Sequence, residues 1–202
     1  MKKTMLTFAL LLGAPLAAQS WEAGVFLGQQ QYQSPHGDLY GSTIQYSPEN
    51  KTIYAVRLGY SVVDFGPALL QLTAGYQPES TTTMKLTVGG APAAEGDLKQ
   101  SYWSVGGMLN FKAVLALGIG LEYLSEDLST VTRSTTYGRP WVRANAGYAI
   151  PSPIVKPFFG VEVAFPLTSK SSNLDVLNTS PEDALKAVAP KSQFGIYAGI
   201  RF

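Results

Sequence analysis

The stretch of sequence that decides the fold is Phe194-Gly195-Ile196-Tyr197-Ala198-Gly199-Ile200-Arg201-Phe202. Its even-numbered residues are all apolar, whereas its odd-numbered residues are small, amphipathic or charged. Successive side chains of a β-strand point to opposite faces, so one face of this strand is apolar and the other carries Arg201. The apolar face points inward in a soluble β-sandwich and outward to lipid in a transmembrane barrel. The stretch therefore predicts a strand and leaves two classes of β-protein to separate.

An apolar, alternating strand that stops on a Phe resembles the C-terminal assembly signal of bacterial outer-membrane β-barrels. The resemblance rests on the stretch quoted above, and it implies that Phe194, Ile200 and Phe202 form a signal for the barrel-assembly machinery. It also implies that the protein is located in the bacterial outer membrane, in contact with outer-membrane lipid and lipopolysaccharide.

The start of the chain has the three parts of a secretory signal peptide. Lys2-Lys3 is positively charged, Met5–Leu12 is apolar, and Pro15–Ala18 supplies small residues. A helix that spans a bilayer needs ~20 apolar residues, so the alternative of an N-terminal anchor helix is disfavoured. The sequence predicts a cleaved signal peptide over residues 1–18 and a barrel domain over residues 19–202, with no further domain.

The composition narrows the class of protein. The chain has no Cys, so disulfides and thiol chemistry are excluded, and its 15 Lys and Arg against 14 Asp and Glu do not favour nucleic acid. Only 14% of the residues are charged, compared with ~25% in an average soluble domain. After the predicted signal peptide, no apolar stretch is long enough for a transmembrane helix. The 20 Gly and 11 Tyr favour a barrel with a crowded interior and aromatic residues at the membrane interface.

Eight segments of the chain alternate between apolar and polar residues, each near the ~9–11 residues that a tilted strand needs to cross a bilayer. Their apolar faces, which include Leu72, Leu117 and Val161, are predicted to meet lipid. The segments are Trp21–Gln31, Thr52–Val63, Ala68–Gln77, Gln100–Phe111, Val114–Leu124, Tyr137–Ala149, Val155–Phe165 and Phe194–Phe202.

Short and long connections alternate along the chain. The short ones are residues 64–67, 112–113 and 151–153. The long ones are Tyr32–Lys51, Pro78–Lys99, Ser125–Thr136 and Pro166–Ser192. Outer-membrane barrels have short periplasmic turns and longer extracellular loops. The sequence therefore predicts an all-β, eight-stranded antiparallel up-and-down transmembrane β-barrel, and it resembles the small monomeric barrels of the OmpA/OmpX type.

Charged side chains alternate onto the predicted luminal face, and a barrel of this size has room for little more than its own side chains. We expect Glu22 and Arg201 to be neighbours where the barrel closes. We also expect Arg143 to be level with Gly160 and diagonal to Glu162. Five cations face three anions in this predicted network, which consists of Glu22, Arg57, Glu122, Arg139, Arg143, Lys156, Glu162 and Arg201.

Two interpretations of the network remain open. A filled lumen would need its charges paired, and Glu122 is predicted to lie beside Arg139 and Arg143 for that purpose. A narrow channel for ions or small solutes would instead use the excess of cations to prefer anions. The filled lumen suits the narrow barrel better.

Catalysis is a third alternative, because some small outer-membrane barrels modify lipid A through a site that contains His. The chain has one His, in the segment Ser34-Pro35-His36-Gly37-Asp38. Near-sequential Ser34, His36 and Asp38 in a Pro- and Gly-containing segment indicate a turn rather than a triad, which is assembled across a fold. No metal cluster, phosphate loop or nucleophile elbow is present in the sequence. We therefore predict no enzyme activity and no cofactor.

The long connections carry the remaining information about function. Ser180-Pro181-Glu182-Asp183 is a helix start that Ala184–Val188 continues, and Thr81–Val88 alternates as an extension of a hairpin would. Long loops on a rigid scaffold often bind partners, although many are variable surfaces with no dedicated partner. The sequence favours a structural or surface-interaction role, with an extracellular ligand bound through the loops.

Overall fold

The structure is a computed structural model that describes residues 21–111, 116–152 and 154–202. The predicted signal peptide over residues 1–18 and the predicted turn at residues 112–113 lie outside the described residues. The boundary between a signal peptide and a barrel domain therefore stays a prediction.

The described residues form ten strands and one helix. The elements are β1 (Trp21–Tyr32), β2 (His36–Leu39), β3 (Ser42–Pro48), β4 (Lys51–Asp64), β5 (Ala68–Val88), β6 (Ala91–Phe111), β7 (Ala116–Ser129), β8 (Ser134–Ala149), β9 (Lys156–Pro166), α1 (Pro181–Ala187) and β10 (Pro190–Arg201).

Eight of the strands close into a ring. The order around the ring is β1, β4, β5, β6, β7, β8, β9 and β10, and β10 pairs with β1 to complete it. Every pairing in the ring is antiparallel. Apart from the closing pair β1–β10 and the β2–β3 hairpin between β1 and β4, neighbouring strands of the ring follow one another in the chain. That hairpin pairs with β5 outside the ring. The predicted all-β, eight-stranded antiparallel up-and-down barrel is confirmed.

The seam between the first and last strands depends on small residues. Gly28 lies opposite Gly195, and a Cβ atom on Gly195 would overlap with the Cα atom of Gly28. Only Gly permits so close an approach of two backbones. At the end of the seam, the amides of Trp21 and Phe202 each donate to the carbonyl of the other at 2.9 Å.

The two faces of the barrel have the polarity of a transmembrane barrel. The outward-facing Leu72 and Val161 are each 58% exposed, whereas the inward-facing Gln71, Glu122 and Glu162 are 2%, 4% and 3% exposed. A soluble sandwich would bury the first set and expose the second. The chain is therefore a transmembrane β-barrel, as the alternation in the sequence predicts.

Two girdles of exposed aromatic side chains bound an aliphatic belt on the outer surface. Aromatic girdles at both interfaces are characteristic of transmembrane barrels. The girdle at the barrel end where Trp21 meets Phe202 consists of Trp21, Phe65, Phe111, Tyr148, Phe159 and Phe202. The girdle at the other end consists of Tyr54, Tyr76, Trp103, Tyr123, Phe165 and Phe194. We call the barrel end with Trp21 and Phe202 the short-turn end and the opposite end the long-loop end.

Three of the four predicted long loops consist mainly of strand. Strands β5 and β6 run through the connection predicted at Pro78–Lys99 and turn at Gly89-Gly90, where φ is 59° and 82°. The connection predicted at Ser125–Thr136 shrinks to residues 130–133, and the one at Tyr32–Lys51 contains β2 and β3. The predicted extension of a hairpin through Thr81–Val88 is confirmed by β5. The predicted bounds of the other strands at this end are too short, because strand pairing continues beyond the membrane as long as the backbone groups find partners.

Helix α1 begins where the sequence predicts. The side chain of Ser180 accepts a hydrogen bond from the amide of Asp183 at 3.1 Å, and Pro181 occupies the first turn. Leu185 and Ala187 are the buried residues of the helix. No helix in residues 21–111, 116–152 and 154–202 is long and apolar enough to cross a lipid bilayer.

Candidate functional site in the barrel interior

A chain of four charged side chains crosses the barrel interior. Glu162 on β9 forms ion pairs with Arg57 on the far side of the ring and with Arg143 on β8, and the Nε atom of Arg143 is 3.4 Å from Oε1 of Glu162. Arg143 also pairs with Glu122 on β7. The hydroxyl of Thr73 on β5 donates to Glu122 at 2.8 Å, so hydrogen bonds and ion pairs link strands around the ring.

A second ion pair lies nearer the long-loop end. Arg139 donates to Glu126 from Nε at 2.6 Å and from Nη2 at 3.2 Å, and the two residues are 1% and 0% exposed. Arg139 also donates to the carbonyl of Pro190. The rings of Tyr137 and Trp141 lie 4.9 and 5.1 Å from its guanidinium, which adds cation–π contacts.

An apolar layer separates the two groups of ion pairs. Along β7, Leu124 lies between Glu122 and Glu126 on the inward face, and along β8, Trp141 lies between Arg143 and Arg139. The members of the layer come from six of the eight strands of the ring. They are Phe26, Ile53, Ala55, Tyr102, Leu124, Trp141 and Ala164.

The short-turn end carries a third, partly exposed pair. Arg201 donates to Glu22 from Nη2 at 2.6 Å across the seam, and both side chains are 22% exposed. Gln71 also donates to Glu22, at 3.3 Å. Lys156 lies beside Arg201 in the register of β9 and β10, and none of the ion pairs found among the described residues includes it.

Some of the contacts predicted from sequence are wrong. Arg143 is level with Ala164 rather than Gly160. The reason is the length of the connection: residues 150–157 separate the paired parts of β8 and β9, whereas the predicted turn was shorter. Glu162 is nevertheless diagonal to Arg143, since its Cα partner is Asn145.

Arg139 pairs with Glu126 instead of Glu122, and sequence reasoning missed Glu126 altogether. The predicted strand stopped at Leu124, but the alternation that places Glu122 and Leu124 inward continues to Glu126. With this residue, four anions rather than three face the five predicted cations. The excess of positive charge on which an anion preference would depend is therefore smaller than predicted.

Two small cavities lie among the described residues of the barrel interior. One of about 40 Å³ lies among Arg57, Arg143 and Glu162, and another of about 40 Å³ lies near Glu22 and Arg201. A volume of this size holds one or a few water molecules. The side chains fill most of the lumen, as expected for a ring of eight strands.

A layer of buried amides and a cap close the long-loop end. The hydroxyl of Tyr32 donates to Gln100 at 3.2 Å, and both residues are buried. Above this layer, Leu98 packs with Leu185 and Val188, so α1 covers the opening of the barrel. The buried amides belong to Gln30, Gln77, Gln100 and Gln193.

The Ser34, His36 and Asp38 segment does not assemble a triad. His36 and Asp38 lie on β2, where Asp38 accepts a hydrogen bond from Thr43 at 2.8 Å. No hydrogen bond among the described residues joins the imidazole to Ser34 or Asp38. No group of three or more His, Cys, Asp or Glu side chains suited to a metal ion occurs in the described ranges.

An ion pair and a hydrogen bond hold two carboxylates at the long-loop end outside the belt. Nζ of Lys170 is 3.0 Å from Oδ1 of Asp183, and its hydrogen bond holds the pKa of Asp183 below the ordinary value of 3.8. The side chain of Asn178 donates to Asp175 at 2.7 Å and lowers the pKa of that carboxyl in the same way. Both carboxylates are therefore ionised at neutral pH and occupied by their own partners.

Comparisons with known proteins give structural likeness only. No protein-family model and no curated protein sequence matches the chain. Among solved structures, it is similar to Ail, the attachment invasion locus protein of Yersinia pestis, with 12% identity and a TM-score of 0.34 over 90% of this chain and 97% of that one. It is also similar to the translocator domain of the autotransporter NalP from Neisseria meningitidis, with 11% identity and a TM-score of 0.32 over 99% and 94% of the chains.

Proposed function

We propose that this protein is an integral outer-membrane barrel with a closed lumen, whose long-loop end is extracellular and serves in surface interaction. The observation that carries the proposal is the aliphatic belt between two aromatic girdles, combined with ion pairs inside the ring. This combination places the apolar surface in lipid and keeps the charges out of it. In the proposal the barrel is a monomer surrounded by lipid and lipopolysaccharide.

The closed lumen is supported by three successive obstructions. They are the ion pairs around Glu162, the apolar layer around Trp141, and the cap formed by α1. A narrow channel would require a continuous polar path, and the apolar layer interrupts one. No catalytic role is part of the proposal, because no hydrogen bond among the described residues joins the His36 imidazole to a base or a nucleophile.

The surface role is supported by the reach of the long-loop end. Residues 77–88 extend the β5–β6 hairpin roughly 40 Å beyond Tyr76 at ~3.3 Å per residue. Three tips on separate connections also carry exposed apolar side chains, with Tyr40 at 91%, Val131 at 92% and Leu177 at 70%. Exposed apolar residues that converge on one end favour contact with a partner over a purely solvated surface.

The orientation is tested with single cysteines, since the natural chain has none. A membrane-impermeant maleimide should label Val131→Cys on intact cells. The matched variant Phe65→Cys, at the short-turn end, should be labelled only after the outer membrane is permeabilised. Equal labelling of both variants in intact cells would contradict the proposed location or orientation.

The closed lumen is tested by planar-bilayer conductance of the refolded protein. We expect conductance near that of the protein-free bilayer. Replacing Trp141 with Ala opens the apolar layer and should raise the conductance, whereas Trp103→Ala on the outer surface should not. A large, steady conductance of the unmodified protein would favour the channel.

A further inference from the structure

An apolar cavity lined by described residues lies at the long-loop end, outside the lumen network. Its volume is about 360 Å³, at the lower end of the ~300–1,000 Å³ range of small-molecule sites. The apolar part of its wall comes from β3, β5, α1 and the segments on either side of α1. It includes Tyr46, Met84, Leu174, Val176, Ala184, Leu185 and Val188.

The floor of the cavity is rigid. Leu185 and Val188 are 7% and 2% exposed and belong to the buried cluster that closes the barrel, and Tyr46 and Met84 pack against that cluster. A cavity with a fixed apolar floor does not need to be formed by its ligand, so little conformational entropy is lost on binding.

The rim of the cavity carries one charged side chain, and that charge is positive. Arg133 lies in the β7–β8 connection, and it takes part in none of the ion pairs among the described residues. Thr130 and Thr132 of the same connection also line the cavity. An apolar floor with a guanidinium and polar residues at one edge complements an amphiphile with an anionic head.

Three acidic residues lie near the cavity without lining it. Asp183 is paired with Lys170 at 3.0 Å. Asp175 is hydrogen-bonded to Asn178 at 2.7 Å and keeps its negative charge, and Glu182 lines a different cavity together with Ser134. No Asp or Glu is among the described residues that line the cavity. The described residues that border the undescribed segments, such as Trp21 and Phe111, lie at the short-turn end of the barrel, away from the cavity.

We propose that this cavity binds the chain of a single-chain carboxylate, such as a medium-length fatty acid, with the carboxylate at Arg133. The volume accommodates one short alkyl chain and excludes lipids with several chains. This inference goes beyond the proposed function and does not depend on whether the lumen conducts.

The test uses the two methionines outside residues 1–20 as reporters. Met84 lines the cavity, and Met108 is buried in the lumen near Asn145. The folded protein, labelled with ¹³C at the Met methyl groups and held in phosphatidylcholine nanodiscs, is titrated with decanoate. We expect a saturable shift of the Met84 signal and none of the Met108 signal. Octanoate should bind about sixteenfold more weakly, at about fourfold per methylene group.

Two variants and one analogue separate specific binding from partition into lipid. Arg133 lies in an exposed connection, and Arg133→Gln should weaken decanoate binding about tenfold. Decanol, which lacks the carboxylate, should bind the unmodified protein about tenfold more weakly than decanoate does. Ala184→Phe fills the cavity and should abolish the Met84 shift, whereas Leu177→Ala, outside the cavity wall, should not change it. The absence of a saturable Met84 shift, or equal affinities for decanoate, decanol and the Arg133 variant, would overturn the proposal.

Discussion

Arg139 and Glu126 form a bidentate ion pair on neighbouring strands, 2.6 and 3.2 Å between nitrogen and oxygen atoms, and both side chains are almost fully buried. The partners lie on β8 and β7, with Glu126 opposite Tyr137 in the register and Arg139 two residues further along β8. A buried charge without its partner is costly, so the two side chains hold each other in place in the barrel interior beneath the cap.

Replacing Glu126 with Gln should destabilise the barrel by about 3 kcal/mol, because Arg139 keeps its carbonyl acceptors and loses its counter-charge. The free energy of unfolding in urea can be followed by Trp fluorescence, since Trp141 lies against Arg139. The neighbouring Asp127→Asn, at an exposed position, is the matched control and should change stability by less than about 0.5 kcal/mol. Equal effects of the two variants would contradict a structural role for the buried pair.

Glu162 should be more important for stability than Glu22. Its carboxylate serves both Arg57 and Arg143 inside the barrel, whereas Glu22 pairs with Arg201 at a partly exposed end. We expect Glu162→Gln to cost about 3–5 kcal/mol and Glu22→Gln to cost about 1 kcal/mol. Added salt should reduce the cost of Glu22→Gln and leave the cost of Glu162→Gln nearly unchanged. A larger loss of stability for Glu22→Gln than for Glu162→Gln would refute this account of the network.

An arginine should be poorly tolerated on the aliphatic belt. Leu72 lies between the two girdles on β5, and Leu72→Arg should reduce the stability of the refolded protein in lipid vesicles by about 2–4 kcal/mol. Val88 is also exposed on the same strand but lies beyond the girdle, so Val88→Arg should have little effect. Similar costs at both positions would mean that the belt does not face lipid.

Phe202 should matter more for assembly in cells than for the stability of the folded barrel. Deleting Phe202 or replacing it with Lys should lower the amount of heat-modifiable protein in the outer membrane, while refolding into detergent stays possible. Phe202→Tyr keeps an aromatic ring at the end of the seam and should assemble normally. Unchanged outer-membrane levels after the deletion would contradict an assembly signal at Phe194, Ile200 and Phe202.

Acidification should loosen helix α1. The pKa of Asp183 is depressed in the folded protein, so the stabilisation from its pairing with Lys170 is present above the ordinary value of 3.8 and is lost as the pH falls through the folded value. Hydrogen exchange at the Leu185 amide, corrected for its intrinsic rate, should show weaker protection at the lower pH. Lys170→Gln should already weaken the protection at neutral pH, and protection independent of pH in the unmodified protein would exclude this linkage.

The sequence by itself determined which side chains face lipid and which face the lumen. Alternation has a period of two and is a local property, so it assigns Leu72 outward and Gln71 inward without knowledge of the pairing. The start of α1 at Ser180 is local in the same sense, because the capping hydroxyl and the amide that donates to it are three residues apart. The seam pair of Glu22 and Arg201 could also be predicted from the sequence, since closure of the ring brings the first and last strands together.

Only the tertiary structure decided which charges meet and how far the strands extend. Arg57 and Glu162 are 105 residues apart and pair across the lumen, a contact that depends on the curvature of the ring and on every register in between. Glu126 became a partner of Arg139 because β7 continues past the membrane, where the hydrogen-bonding needs of the neighbouring strands, rather than lipid thickness, set its length. The cavity beside Arg133 likewise combines four separate segments of the chain, whose meeting no local pattern encodes.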